Sequence, residues 1–313
     1  MKKTHENKLP FFNRFLIYQK ERFPFIAHGL MIGAFTFSAV SYSRICRGES
    51  GFIPWPDFII GVFATITLFF LVRIFDEFKD QEEDAKYRKY LPVPRGLISL
   101  QELKTIGLVV ALIQISSIAI FQIEMLYLYL IVLAYLMLMG VEFFVPQWLK
   151  KRHLIYITSH MVIIPLIDIY ASGLDWLLGG AEPHWGLAWF FGVSYMNGLV
   201  LEFGRKIRTP ATEEEGVTSY TGLYGPKGGV VAWLLLIFLT MTLAMGAVCY
   251  AGFNPIAYAI LGFLFMLCSL PGWLFLSKIT VKRSKYIEYA SAAWTAFMYL
   301  SLGGIPMLIA LLS

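Results

Sequence analysis

Residues 58–96 read FIIGVFATITLFFLVRIFDEFKDQEEDAKYRKYLPVPRG. The first fifteen, Phe58 to Val72, carry no charge, while the next twelve, Arg73 to Asp84, hold six carboxylates. The apolar run, taken over about 57–78, has the length of roughly 20 residues that a membrane-crossing helix needs. An ionisable group at the edge of lipid is costly unless it is paired or has a task. Six of them at the end of such a helix therefore need a reason.

The rest of the chain repeats the apolar theme. Of 313 residues, 58% are apolar and 15% charged, with a mean hydropathy of +0.64. Soluble domains are nearer half apolar and about a quarter charged. Nine segments qualify as spans: about 24–43, 57–78, 105–123, 125–148, 154–173, 185–203, 229–251, 255–277 and 290–312. Open sheets cannot satisfy their edges in lipid, and a barrel would show short alternating strands. The expected fold is an all-α membrane protein, a bundle of nine transmembrane helices. Residues 1–23 are expected to form a cytoplasmic N-terminal segment and residues 24–313 the membrane domain. Within the former, NRFLIYQKERFPF mixes bases with Phe, Ile and Tyr, as an interfacial helix does.

The basic residues give an orientation. The segment before Phe23, the 79–104 loop, the 150–152 turn and the 205–227 and 278–285 loops hold 23 of the 26 Lys and Arg. With nine spans these five stretches fall on one side, which the positive-inside rule makes the cytoplasm. The N terminus is then cytoplasmic. Arg73 lies within a span, and Arg44 and Arg47 follow the first. This asymmetry accounts for the net charge of +5 without a nucleic-acid partner. Cys46, Cys249 and Cys268 show no metal-binding or redox spacing. The first apolar run is longer than a signal-peptide core and lacks a small-residue cleavage site.

Asp76, Asp80 and Asp84 stand at i, i+4 and i+8, a spacing that can place all three on one helix face. Carboxylates so close repel one another, and a divalent cation relieves the repulsion. Mg²⁺ takes oxygen ligands, keeps several waters and is commonly shared with substrate phosphates. The spacing therefore suits a metal–diphosphate site. It equally suits a solvated helix end, where Glu77, Glu82 and Glu83 pair with Lys79, Lys86, Arg88 and Lys89. Arg73, one turn before Asp76, either pairs with Asp76 or Glu77 or faces the site.

DEFKDQEED, followed by PVPRG from Pro92, resembles the first motif of the UbiA superfamily of intramembrane prenyltransferases. That motif reads Asn-x-x-x-Asp-x-x-x-Asp with a Pro-x-Pro-x-Gly turn behind it. Asp76 takes the Asn position, Asp80 and Asp84 the two Asp positions, and Pro92, Pro94 and Gly96 the turn. The resemblance implies nine transmembrane helices around a central cavity, with the N terminus and the active site facing the cytoplasm. A prokaryotic cell membrane is the expected location.

The family's second motif, roughly Asp-x-x-Asp-x-x-x-Asp at the end of the sixth span, corresponds here to LEFGRKIRTPATEEEGVTSYTGLYG, Leu201 to Gly225. Glu202 stands for the first Asp. Arg205 falls on the second acidic position and reverses its charge, and Glu213, Glu214 and Glu215 crowd the third. Arg and Lys can hold a diphosphate directly, Arg in bidentate fashion. Arg205, Lys206 and Arg208 thus either contact phosphate or belong to a plain basic loop. Asn197 and Tyr195 lie deeper on the same helix. Glu142 and Asp168 are expected inside spans, with His160 near Asp168 at i, i+8. Asn197, Glu142 and Asp168 are candidates for lining a pocket, binding an acceptor or taking a proton.

The resemblance implies a Mg²⁺-dependent transfer of an isoprenyl group from isoprenyl diphosphate to an aromatic or otherwise lipophilic acceptor in the bilayer. Asp76, Asp80, Asp84 and Glu202 would hold metal. Arg73, Lys86, Arg88, Arg95, Arg205 and Lys206 would balance the diphosphate. A cyclase of the same superfamily, acting without acceptor, is one alternative. A transporter or lipid-binding protein without chemistry is the other.

Overall fold

The computed structural model describes residues 8–312. Lys2 and Lys3 of the basic N-terminal stretch lie outside the described residues. No strand occurs among those described. The chain divides into two compact units. One takes the described residues up to Gly33 together with Trp55–Lys151, and the other takes Ala34–Pro54 with Arg152–Ser313.

In the first unit, α1 (Phe11–Arg22) leads into α2 (Phe25–Arg47), which continues into the second unit. Helix α3 (Trp55–Lys79) is followed at once by the short α4 (Gln81–Tyr87). Then come α5 (Leu100–Phe121), α6 (Leu126–Gly140) and α7 (Pro146–Lys150). Along helix α1, Phe11, Phe12 and Leu16 are exposed while Tyr18 is buried. Helix α5 starts at a capping box, in which Ser99 accepts from the Glu102 N–H and Glu102 reaches back to the Ser99 N–H. Leu108, Leu112, Ile113 and Phe121 stay exposed along it, a surface suited to lipid.

The expected span over 125–148 is not continuous. Helix α6 stops at Gly140, and Glu142, Phe143 and Phe144 have φ of 50°, 52° and 62°. Three successive side-chain-bearing residues in the left-handed region cannot propagate a right-handed helix. Glu142 therefore lies in a sharp turn beyond α6, not within a span.

The second unit holds the end of α2, then α8 (His153–Met161), α9 (Ile163–Trp176), α10 (Leu187–Arg205), α11 (Tyr220–Tyr250), α12 (Ile256–Ser277), α13 (Val281–Tyr299), a π-helical turn over Leu300–Gly304 and α14 (Ile305–Leu312). Helices α8 and α9 share one expected span. They part at Val162, where Pro165 lacks the N–H that would have bonded the Met161 carbonyl. Helix α2 runs past the expected end of its span, so Arg44 and Arg47 occupy its last turn rather than a loop. Both bind Asp175 of α9, Arg44 at 2.9 Å and Arg47 at 3.0 Å. The Ser43 hydroxyl donates to the same carboxylate at 2.7 Å.

Eight helical stretches among the described residues are long and apolar enough to cross a membrane. The expected sixth span, about 185–203, forms α10 but is not among the eight. Its 19 residues reach about 28 Å, enough to span. Ser194, Tyr195, Asn197 and Glu202 lower its apolar character.

At the π turn a Cβ built on Gly303 would lie 2.1 Å from the Ser38 carbonyl oxygen of α2. The obstacle is backbone and cannot rotate away. Gly303→Ala is expected to lower stability by about 2 kcal/mol through overpacking. Gly262→Ala, with no heavy atom within 4 Å of its Cβ, is expected not to lower it. Thermal unfolding of the two variants in detergent checks this pair.

Candidate functional site

The acidic motif occupies the junction of α3 and α4. The Asp80 N–H donates to the Asp76 carbonyl at 2.9 Å, and the Asp84 N–H to the Asp80 carbonyl at 2.8 Å. The rod is thus nearly unbroken through the junction, and the three aspartates ride on successive turns. Their surroundings differ. Asp76 is part-exposed and loosely flanked by Arg73 at 3.6 Å and Lys79 at 3.7 Å. Asp80 is half-buried, and burial pushes its carboxyl up; Lys79 opposes the shift and Asp76 reinforces it. Asp84, 2% exposed, meets the Arg88 Nε at 3.0 Å. Burial raises its carboxyl too, with Arg88 opposing and Asp80 reinforcing.

Of the three, Asp84 lines a cavity beside the rod. This cavity, of about 200 Å³, is lined by Glu77, Gln81, Asp84, Ala85, Val93 and Pro94. Glu77, Gln81 and Asp84 are related by i, i+4 and i+7, a closer match to one helix face than i, i+4, i+8. Asp76 and Asp80 are not among the lining residues. Among the described residues no three His, Cys, Asp or Glu side chains are drawn together as a ligand set for one ion.

The donors nonetheless fit Mg²⁺. They are hard carboxylate oxygens, and Asp76 makes Asp80, and Asp80 makes Asp84, costlier to ionise, which a divalent cation would relieve. One or two carboxylates suffice, because Mg²⁺ draws most of its ligands from water and phosphate.

Behind the acids, the turn at Leu91–Gly96 is closed by Arg95 N–H to Leu91 O at 3.0 Å and Gly96 N–H to Val93 O at 3.0 Å. Gly96 has φ of 76°, which a side chain resists.

The cations expected at a diphosphate are in part engaged. Arg95 makes two bonds to Glu21 of α1, at 2.7 and 2.8 Å. Arg88 holds Glu83 at 3.0 Å besides Asp84. Lys86 is exposed, with its ammonium 4.7 Å from the centre of the Tyr87 ring. Arg73 binds Glu77 at 3.1 Å besides Asp76. Glu142 is buried, and burial raises its carboxyl; Lys79 and Lys150 oppose this and Asp80 reinforces it. Its turn therefore brings it within electrostatic reach of the acidic motif.

Sequence reasoning left Glu77 among the surface acids. It is 2% exposed and is bonded by Arg22 of α1 at 2.6 Å as well as by Arg73. The Arg73–Glu77 pair was legible from its i, i+4 spacing. Arg22, 55 residues away, left no local signal.

In the second unit Glu202 lies near the end of α10, 7% exposed. Both its oxygens, expected as metal ligands, meet cations: one bonds the Lys206 Nζ at 2.7 Å, the other the Arg205 Nε at 2.7 Å. Glu213, expected to crowd the motif's third position, instead accepts from Ser219 and Thr221 at 2.7 and 2.8 Å, at the start of α11. Glu214 pairs with Arg208 at 3.1 Å. Phe203 stacks on Tyr220 with ring centres 3.7 Å apart, fastening the end of α10 to the start of α11.

Deeper in the same unit, Asp168 and Asn197 are fully buried, and among the described residues none of their side-chain polar atoms has a hydrogen-bond partner. The Ser194 hydroxyl lies near the Asp168 carboxyl, and the Tyr299 phenol near Ser194 and Asn197. His160, expected beside Asp168, instead stacks on Tyr156, with its Nδ1 2.7 Å from the Tyr156 carbonyl. Tyr195 donates to the Thr158 carbonyl at 3.2 Å.

No curated protein matches the chain significantly. Two solved structures share its fold. One, of digeranylgeranylglyceryl phosphate synthase, has a TM-score of 0.61 at 14% identity, covering 98% of this chain and 100% of that one. The other, an apo UbiA homolog from Aeropyrum pernix K1, has a TM-score of 0.66 at 17% identity, covering 90% and 98%. The model of the UbiA prenyltransferase family matches residues 34–300. The chain, an all-helical multi-pass membrane protein, belongs to the UbiA prenyltransferase family.

Proposed function

We propose that this protein is a Mg²⁺-dependent intramembrane prenyltransferase. It moves an isoprenyl group from isoprenyl diphosphate to an aromatic or otherwise lipophilic acceptor, with its active site toward the cytoplasm. The observation that carries the reading is the nearly unbroken α3–α4 rod. It sets Asp76, Asp80 and Asp84 on successive turns at the end of a membrane helix, in a chain of this family.

A prenyl diphosphate has one highly charged end and one oily end, and so does this rod. Asp80 and Asp84 are the metal-holding residues, with Asp76 as a further ligand or water-binding group. Bound there, Mg²⁺ would neutralise charge building on the departing diphosphate. Arg73 and Lys86 offer cations from the first unit. Arg205 and Lys206 fall where the family carries a second acidic motif and are further candidate cations. Cations fixed where charge develops stabilise a transition state without reorganising.

The C1–O bond breaks with its electron pair leaving on the diphosphate. The acceptor attacks C1 of the allylic cation and gives up a proton. Glu142 and Asp168 are the intramembrane or near-membrane acids available to bind a polar acceptor group or take that proton, and Asn197 is a neutral partner for such a group. The apolar surroundings exclude water, which would quench the cation.

Purified protein supplied with Mg²⁺ and prenyl diphosphates of several lengths is expected to release diphosphate. Asp80→Asn and Asp84→Asn are each expected to slow release by about a hundredfold or more. Chelation should abolish release and added Mg²⁺ should restore it. Equal release by wild type and both variants would overturn the reading.

Arg205→Gln is expected to raise KM for the prenyl diphosphate by about tenfold, the loss of one charge-assisted contact. A KM unchanged from wild type would place Arg205 in a merely basic loop. Steady-state kinetics of diphosphate release read both quantities.

A further inference from the structure

Helix α1 precedes the region matched by the family model, yet it is fastened to the acidic segment and the turn behind it. Arg14 binds Glu102 through two bonds, at 2.6 and 3.1 Å, and donates to the Leu97 carbonyl at 2.9 Å. Glu21 takes both bonds from Arg95. Arg22 places its Nε 2.6 Å from Glu77 Oε1. The buried Tyr18 turns its hydroxyl toward Arg73.

The third fastening reaches the aspartates. The oxygen of Glu77 that accepts from Arg22 also accepts from Arg73 at 3.1 Å. Arg73 in turn lies 3.6 Å from Asp76. A row of alternating charge, Arg22–Glu77–Arg73–Asp76, thus leads from α1 into the acidic motif. Glu77 is 2% exposed, so its charge must be met by the protein. Two guanidinium groups share that duty. With Arg22 gone, Arg73 alone would neutralise Glu77 and would be drawn from Asp76 toward it.

We propose that Arg22 is a positioning residue for the diphosphate site. By sharing the Glu77 oxygen with Arg73, it keeps Arg73 from being drawn wholly onto Glu77 and holds it beside Asp76, where phosphate oxygens would bind. The inference rests on the reading of the first unit as the diphosphate-binding unit. It adds a part of the chain outside the family match to the machinery.

The test uses full-length protein in detergent with Mg²⁺. Binding of geranyl S-thiolodiphosphate, a non-cleavable prenyl diphosphate analogue, is measured calorimetrically beside steady-state diphosphate release. Arg22→Gln is expected to weaken analogue binding by about tenfold and raise KM in parallel, leaving kcat within about twofold. The double variant Arg22→Gln/Glu77→Gln is expected to bind no worse than the weaker single variant, because the two side chains act as a unit. Arg14→Gln cuts a different fastening of the same helix and should leave analogue affinity within about twofold.

Wild-type affinity in Arg22→Gln overturns the proposal. So do equal losses in Arg14→Gln and Arg22→Gln, which would mean that docking of α1 alone matters, and so do additive losses in the double variant. Should Arg22→Gln not fold, Arg22→Lys keeps the charge without the guanidinium geometry, and an about threefold loss of analogue affinity is then expected. Unchanged affinity in that variant likewise overturns the proposal. If the wild type neither binds the analogue nor releases diphosphate, the diphosphate reading itself fails. Loss confined to the Arg22 and Glu77 variants separates the two cases.

Discussion

A carboxylate that is 2% exposed at the end of an apolar helix has to be answered by cations, and Glu77 is answered twice. Breaking a buried pair by removing one partner costs about 3–5 kcal/mol, because the other charge is left stranded. This constraint organises the first unit. It ties the last residue of α1, Arg22, to α3. It holds Arg73 on the side of α3 from which Asp76 also projects. The neighbouring contacts follow the same logic: Glu21 answers Arg95, and Arg14 answers Glu102 at the start of α5.

The second unit obeys the rule with different outcomes. Asp175, with its side chain fully buried, is met by Arg44 and Arg47, so the end of α2 is tied to α9. Glu202 is met by Arg205 and Lys206, one helical turn further along its own helix. Two cations on one carboxylate leave that helix end with net positive charge. Among the described residues Asp168 pairs with no cation; the hydroxyls of Ser194 and Tyr299 lie near it. Buried groups of this kind are held in structures where they bond one another, bound water or a ligand. Asp168 and Glu202 are both buried acids in the same bundle, yet only Glu202 is set among cations.

Much of this was legible in the sequence, and what was not has a physical cause. Hydropathy located every long apolar helix to within a few residues at most ends, because burial in lipid is a property of composition. It did not find the break at Glu142–Phe144, where nothing in the run VEFFVP distinguishes a left-handed turn from a helix until Pro146. It placed Arg44 and Arg47 outside their helix, because their charge masked a helical turn that Asp175 stabilises from a distant helix. Within the motif, spacing placed the aspartates on successive turns but not their unequal burial. Helix periodicity does not contain the cavity wall that Val93 and Pro94 supply. Spacing revealed the Arg73–Glu77 pair but not Arg22, since an ion pair between segments far apart in sequence leaves no periodic trace.

The charge reversal at Arg205 gains a physical meaning from Glu202. A carboxylate whose two oxygens already bond an ammonium and a guanidinium offers a metal ion little unless those partners leave. A diphosphate, carrying roughly three negative charges, is bound as well by side-chain cations as by metal. On the function proposed above, Arg205 and Lys206 would supply the cations at a position where the family's motif carries an acid. Glu202 holds both in place, through the Arg205 guanidinium and the Lys206 ammonium. The burial of Glu202 between two cations is the feature of this unit that a positive-inside loop does not explain.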